Sequence, residues 1–146
     1  LDWSLIEKNQ NLFSFVKYMI AFRKRHPAIR TDLPAGRFSF PSMSFHGIHP
    51  WEPVSDLESH VLCVLFSGFD KEQQIQDTIY LAINTHWEPV TLFLPDLPFE
   101  WNWHIAVNTG DPSRTIFQDT EMPPADHTVL LGERSVILFV VKKRSV

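Results

Sequence analysis

The residues with the means to do chemistry are few and scattered. His46 and His49 stand three apart in HGIH, a spacing that could begin a zinc site. Zinc takes three or four protein ligands, and no cysteine or HExxH partner is placed to complete the set. Metal binding is not expected, and the pair reads as loop histidines. Glycosidic hydrolysis needs two carboxyl groups about 5 to 9.5 Å apart. Asp70, Glu72, Asp77, Asp96, Glu100, Asp119, Glu121, Asp126 and Glu133 offer many nominal pairs, but most fall in turns, where acids are expected for backbone reasons. Ser135 lies in GERSV, not in the strand-to-helix elbow G-x-S-x-G of a hydrolase. The 5 glycines make no phosphate-cradling loop. Cys63, the single cysteine, sits inside VLCVLF and reads as a small buried hydrophobe. No catalytic, cofactor-binding or metal-ligating residue is expected.

The aromatic residues suggest binding instead, because sugar rings present apolar faces that stack on indole. Trp51 in HPWEP and Trp87 in NTHWEP fall in turns, with His86 beside Trp87, and Trp101 opens an aromatic strand. Trp51, Trp87 and His86 are the candidate glucan contacts. The competing reading is a tryptophan packed over a loop or against another body. Trp103 shares a strand face with Ile105 and Val107 and belongs to the core.

These side chains must be positioned by one helix and a set of strands. Ser4-x-x-Glu7 is a capping-box pattern, and Pro27 after His26 disfavours helical geometry at its end. The helix therefore runs from about 5 to 25, with a break near Asn9-Gln10-Asn11. At 100° per residue, Leu12, Phe13, Phe15, Val16, Met19, Ile20 and Phe22 cover an arc of roughly 180°, with Ser14, Lys17, Tyr18, Lys24 and Arg25 opposite. A surface helix needs an apolar stripe of about 100°, so this one is expected to touch two bodies. Residues 31 to 60, with Pro34, Pro41, Pro50 and Pro53, read as loop around a short strand at SFHGI. Strands follow at 61–68, 78–84, 90–95, 101–107, 127–131 and 135–141, the last two joined by Gly132-Glu133-Arg134, a hairpin-length link. The fold class is mainly β, an antiparallel β-sandwich preceded by one long N-terminal α-helix. The division is 1–30 for the helix and 31–146 for the sandwich.

Composition agrees with a globular domain. The chain has 146 residues, 44% apolar and 21% charged, and a net charge of -4. That charge gives no general attraction to nucleic acid or anionic membrane, and neither is an expected partner. The basic triplets Arg23-Lys24-Arg25 and Lys142-Lys143-Arg144 read as a helix end and a solvated tail. No apolar run approaches the roughly 20 residues of a membrane helix.

DWSLIEKNQNLFSFVKYMIAFRKRHPAIR resembles the end of the catalytic barrel in isoamylase-type glycogen debranching enzymes of the alpha-amylase superfamily. FHGIHP, SHVLCVLFSG and IYLAINTHWEPVTLFLPDLP resemble the sandwich that follows it, and WNWHIAVNTGDPS and GERSVILFVV its later strands. The chain departs from that pattern at Phe45, where tryptophan is usual, and at Thr85, where a small residue or methionine is usual. The resemblance implies a parent glycosidase cleaving α-1,6 branch linkages of glycogen or a related α-glucan. Its Asp, Glu and Asp would lie upstream of Leu1, and none of them maps onto this chain. This chain would be the non-catalytic C-terminal module. Leu12, Phe13, Phe15, Val16, Met19, Ile20 and Phe22 would form the helix face shared between barrel and sandwich. The implied partners are the parent's (β/α)8 barrel and α-glucan, with a homodimer through the exposed helix face for the isolated fragment. The implied location is cytoplasmic, or plastid in a plant. The alternative is a stand-alone carbohydrate-binding or interaction module.

Overall fold

Asp2, not Ser4, starts the helical region. Its carboxylate accepts hydrogen bonds from the Ser4 amide (3.0 Å) and hydroxyl (2.6 Å), and Ser4 is already helical, so the expected capping box does not form. The computed structural model describes residues 2–52, 54 and 59–144; Pro53, one of the predicted loop prolines, lies outside them. A short α1 (Ser4–Lys8) is separated from α2 (Gln10–Arg25) at Asn9, where the break was predicted. His26 adopts an extended backbone before Pro27, as the residue before proline prefers.

The strands are β1 (Met43–His46), β2 (Val61–Asp70), β3 (Ile75–Asn84), β4 (Val90–Phe93), β5 (Trp101–Asn108), β6 (Thr128–Leu131) and β7 (Ser135–Lys143). They form an antiparallel five-stranded sheet, order β1-β2-β3-β7-β5, and a separate antiparallel β4-β6 pair. Between the two sheets Cys63, Leu65, Tyr80, Phe139, Leu92 and Leu131 interlock with Trp103. The expected β-sandwich is present, and helix α2 lies on the outer face of the larger sheet.

Three details depart from the sequence reading. The link Gly132-Glu133-Arg134 does not close a hairpin: β6 pairs with β4 and β7 with β3 and β5, so three residues carry the chain from one sheet to the other. Lys142 and Lys143 belong to β7 instead of a solvated tail, and Lys142 pairs with Asp119 at 2.7 Å. On β5 the register slips between Ile105 and Val107. This bulge turns Val107 away from Trp103, so that Ala106 and Val107 both join the cluster under the helix. Beyond β5, the segment 115–125 covers the sheet edge through bridges His104–Pro124 and Val107–Ile116.

The helix is held on the sheet at two places. Tyr18, expected on the polar side, is buried, and its hydroxyl reaches the carbonyls of Phe117 (2.8 Å) and Ala106 (3.2 Å). The reason is geometric: the phenol ring packs with Phe22 over Ile79 and Val140 while its oxygen meets the carbonyls of the bulge residue Ala106 and of Phe117 beside it. At the helix end, buried Asp77 of β3 accepts the Ala28 amide at 2.9 Å and contacts His26 Nδ1 at 2.7 Å.

Two substitutions test this packing. Asp77→Ala orphans the buried Ala28 amide and should lower unfolding free energy by about 2 to 4 kcal/mol in urea titrations, with Asp77→Asn losing about half as much. Tyr80 carries a buried hydroxyl with no hydrogen-bond partner among the described residues beyond the weak Cys63 thiol beside it. Tyr80→Phe should therefore leave stability unchanged or raise it by about 1 kcal/mol; a loss above that would show the hydroxyl to be satisfied.

Candidate functional site

Asn84 and His46 end their strands at the same end of the main sheet, because His46 pairs with Cys63 and Asn84 with Val61 on the strand between them. Each is almost wholly buried, and each organises the turn that follows it.

His46 is held by its two ring nitrogens. Nδ1 accepts the Trp51 amide at 2.6 Å, which places the proton on Nε2, 2.7 Å from the Ser44 hydroxyl. Burial pushes the pKa of His46 below its ordinary value. Trp51 takes a left-handed backbone (φ 69°), its ring edge-on to His46 at 4.7 Å and 5.3 Å from Phe40. Half of it remains exposed (50%). His49, the other half of the HGIH pair, stacks on Phe93 at 4.4 Å. Among the described residues no group of three or more His, Cys, Asp or Glu is placed to hold a metal.

Asn84 organises the second turn with its whole amide. Its oxygen accepts the His86 amide at 2.9 Å, and its nitrogen donates to the carbonyls of Glu88 (2.9 Å) and Gly132 (3.0 Å). The Glu88 amide donates to His86 Nδ1 at 3.2 Å, and the Arg134 amide to the His86 carbonyl at 2.9 Å. Trp87 projects from this turn, 62% exposed, with its ring stacked on His86 at 4.2 Å. His86 in turn stacks on His60 at 4.8 Å. His60 was not singled out in the sequence. The Trp101 ring lies at the opposite end of the sheet, since it pairs with Lys143 at the far end of β7, and it is half-buried edge-on to Phe38.

Several of the carboxylates have structural partners. Asp70 accepts the amides of Glu72 and Gln73 in the β2–β3 turn, Asp77 holds the helix end, and the Lys142 hydrogen bond keeps Asp119 below the usual carboxylate range. Burial drives the Cys63 thiol up to about 11, so it is protonated and unreactive near neutrality.

The apolar arc of α2 divides into two. Phe15, Met19 and Phe22 turn toward the sheet with Tyr18, whereas Leu12 (61%), Ile20 (54%), Phe13 and Val16 are exposed. Trp3 and Leu5 are also exposed at the start of the helical region.

Known proteins resemble the chain in sequence and in fold. The chain is 27% identical over 130 residues to chloroplastic isoamylase 1 of Oryza sativa subsp. japonica, a match covering 88% of this chain and 15% of that protein. Among solved structures it matches an inactive double mutant of MutB in complex with isomaltulose, with TM-score 0.50 and 19% identity over 89% of this chain and 18% of that one. No protein-family model matches the chain. The isoamylase match agrees with the resemblance to isoamylase-type enzymes, and the MutB match with the expected β-sandwich fold. The chain spans only about a sixth of the length of either.

Because burial lowers the pKa of His46, the folded state binds that proton less readily than the unfolded chain. The stability contributed by neutral His46 is complete above about pH 6.5 and is lost as pH falls below it. Denaturant titrations from pH 7 to pH 5 should show stability falling, and His46→Asn should flatten that dependence by up to about 1.4 kcal/mol per pH unit.

Proposed function

We propose that this chain is the non-catalytic C-terminal module of a debranching glycoside hydrolase acting on α-1,6 branch linkages of glycogen or a related α-glucan. The bare half of the α2 arc carries the reading: Leu12, Phe13, Val16 and Ile20 share one helix face and stay about half or more exposed among the described residues. Exposed apolar patches of this kind are rare on monomers and mark a contact surface. In this reading α2 is the last helix of the parent's (β/α)8 barrel. Its inner face rests on the sandwich and its outer face covers barrel strands. The barrel supplies the two-carboxylate retaining chemistry, by which one carboxylate attacks the anomeric carbon and the other protonates the departing oxygen. The kinship with a rice isoamylase supports a hydrolase parent. A plant source would place that parent in the plastid and another source in the cytoplasm. The sandwich itself caps the barrel and stiffens its last helix, with Trp51, Trp87 and His86 available for glucan contact.

The isolated chain should release no reducing sugar from glycogen, and measurable release by pure protein would overturn the reading. The chain should also self-associate or bind a hydrophobic dye through the bare face. The triple change Leu12→Ser, Val16→Ser, Ile20→Ser should lower dye fluorescence severalfold and shift sedimentation to the monomer. A wild-type chain that is monomeric and dye-silent would count against a missing second body.

A further inference from the structure

The turn after β3 holds an exposed indole more firmly than folding requires. Leaving Trp87 in water forgoes burial worth roughly 25 cal/mol per Å², yet the hydrogen bonds described above tie its turn to the residues that lead into β7. Thr85 completes them, donating its amide (2.9 Å) and its hydroxyl (3.1 Å) to the carbonyl of His60. The two lengths of chain that carry the rings are thus fastened to each other. The rings of Trp87, His86 and His60 form a bent cluster, with interplanar angles of 26° and 22° between successive members and 6.5 Å between the centroids of Trp87 and His60. The Nε2 of His86 and both ring nitrogens of His60 are engaged by no described residue. The result is an exposed indole face backed by His86, with free imidazole nitrogens in the same cluster, and its rigidity reduces the ordering cost of binding. That combination suits a pyranose ring, which has an apolar face and a rim of hydroxyls. Trp51 is differently placed: its ring packs on Phe40 and edge-on to His46, with no second ring stacked face to face behind it among the described residues.

We propose that the Trp87–His86–His60 cluster is a saccharide-binding platform, taking one pyranose ring of a neutral α-glucan on the open indole face, with His86 and His60 holding the indole in place from behind. The choice of α-glucan rests on the debranching-enzyme reading above; the platform itself rests on the stack.

The test is affinity electrophoresis of the chain through gels containing glycogen, with the dissociation constant for maltohexaose taken from tryptophan fluorescence. Trp87→Ala should weaken binding about tenfold and His60→Ala about threefold, while Trp51→Ala stays within about twofold of wild type. Each variant is compared at matched thermal melts. Should Trp87→Ala fail to fold, Trp87→Phe, which keeps a ring on the stack, should bind a few-fold more weakly, and binding equal to wild type would overturn the proposal. Loss of binding in Trp51→Ala with Trp87→Ala unchanged would also overturn it. A wild-type chain retarded by no glucan would remove the platform and leave the barrel-capping role standing. Trp87-dependent retardation by hydroxyethylcellulose but not by glycogen would sustain the platform and overturn the debranching reading.

Discussion

A buried carboxylate fixes where the helix ends on the sheet. Asp77 is on a strand, but both its oxygens serve the chain beyond the helix end, one on His26 and one on the Ala28 amide. Phe22 packs on His26 at 4.2 Å, so this polar clamp and the apolar contact beneath the helix lock the same residue from two sides. The apolar contact alone is non-directional and would tolerate sliding; the hydrogen bonds set the position along the sheet. The division of the apolar arc into a covered and a bare half follows from that position, and so does the surface on which the proposed function rests.

Much of the architecture was legible because the patterns that signal it are local. Alternation in TIYLAIN and the apolar run VLCVLF gave β3 and β2, and Pro27 gave the helix end. What was missed depends on partners distant in sequence. Gly132-Glu133-Arg134 has the length of a hairpin, and only the pairing of β6 with β4 makes it a crossing between sheets. Strict alternation placed Val107 with Trp103, and one inserted residue at the bulge reversed it. Tyr18 reads as polar at the tip, yet a carbonyl 99 residues away accepts its hydroxyl and allows the ring to be buried.

The site was partly readable for the same reason. Turn chemistry in HPWEP and NTHWEP singled out Trp51 and Trp87, and both tryptophans are half or more exposed. His60 left no mark, since its role comes from the register that sets Val61 opposite Asn84. The asparagine gave a signal that could have been used: a polar residue ending an apolar strand, two before a histidine, is placed to cap the turn that follows.

The covering of β5 by segment 115–125 also governs how copies of this domain can meet. Pro123 and Pro124 lie along that edge and have no amide to offer a further strand, so continuous sheet growth is blocked on that side. The opposite edge is β1, only 4 residues long, with Met43 and Phe45 exposed. Of the two margins of the main sheet, that short strand is the one at which partial unfolding would let neighbouring copies join edge to edge.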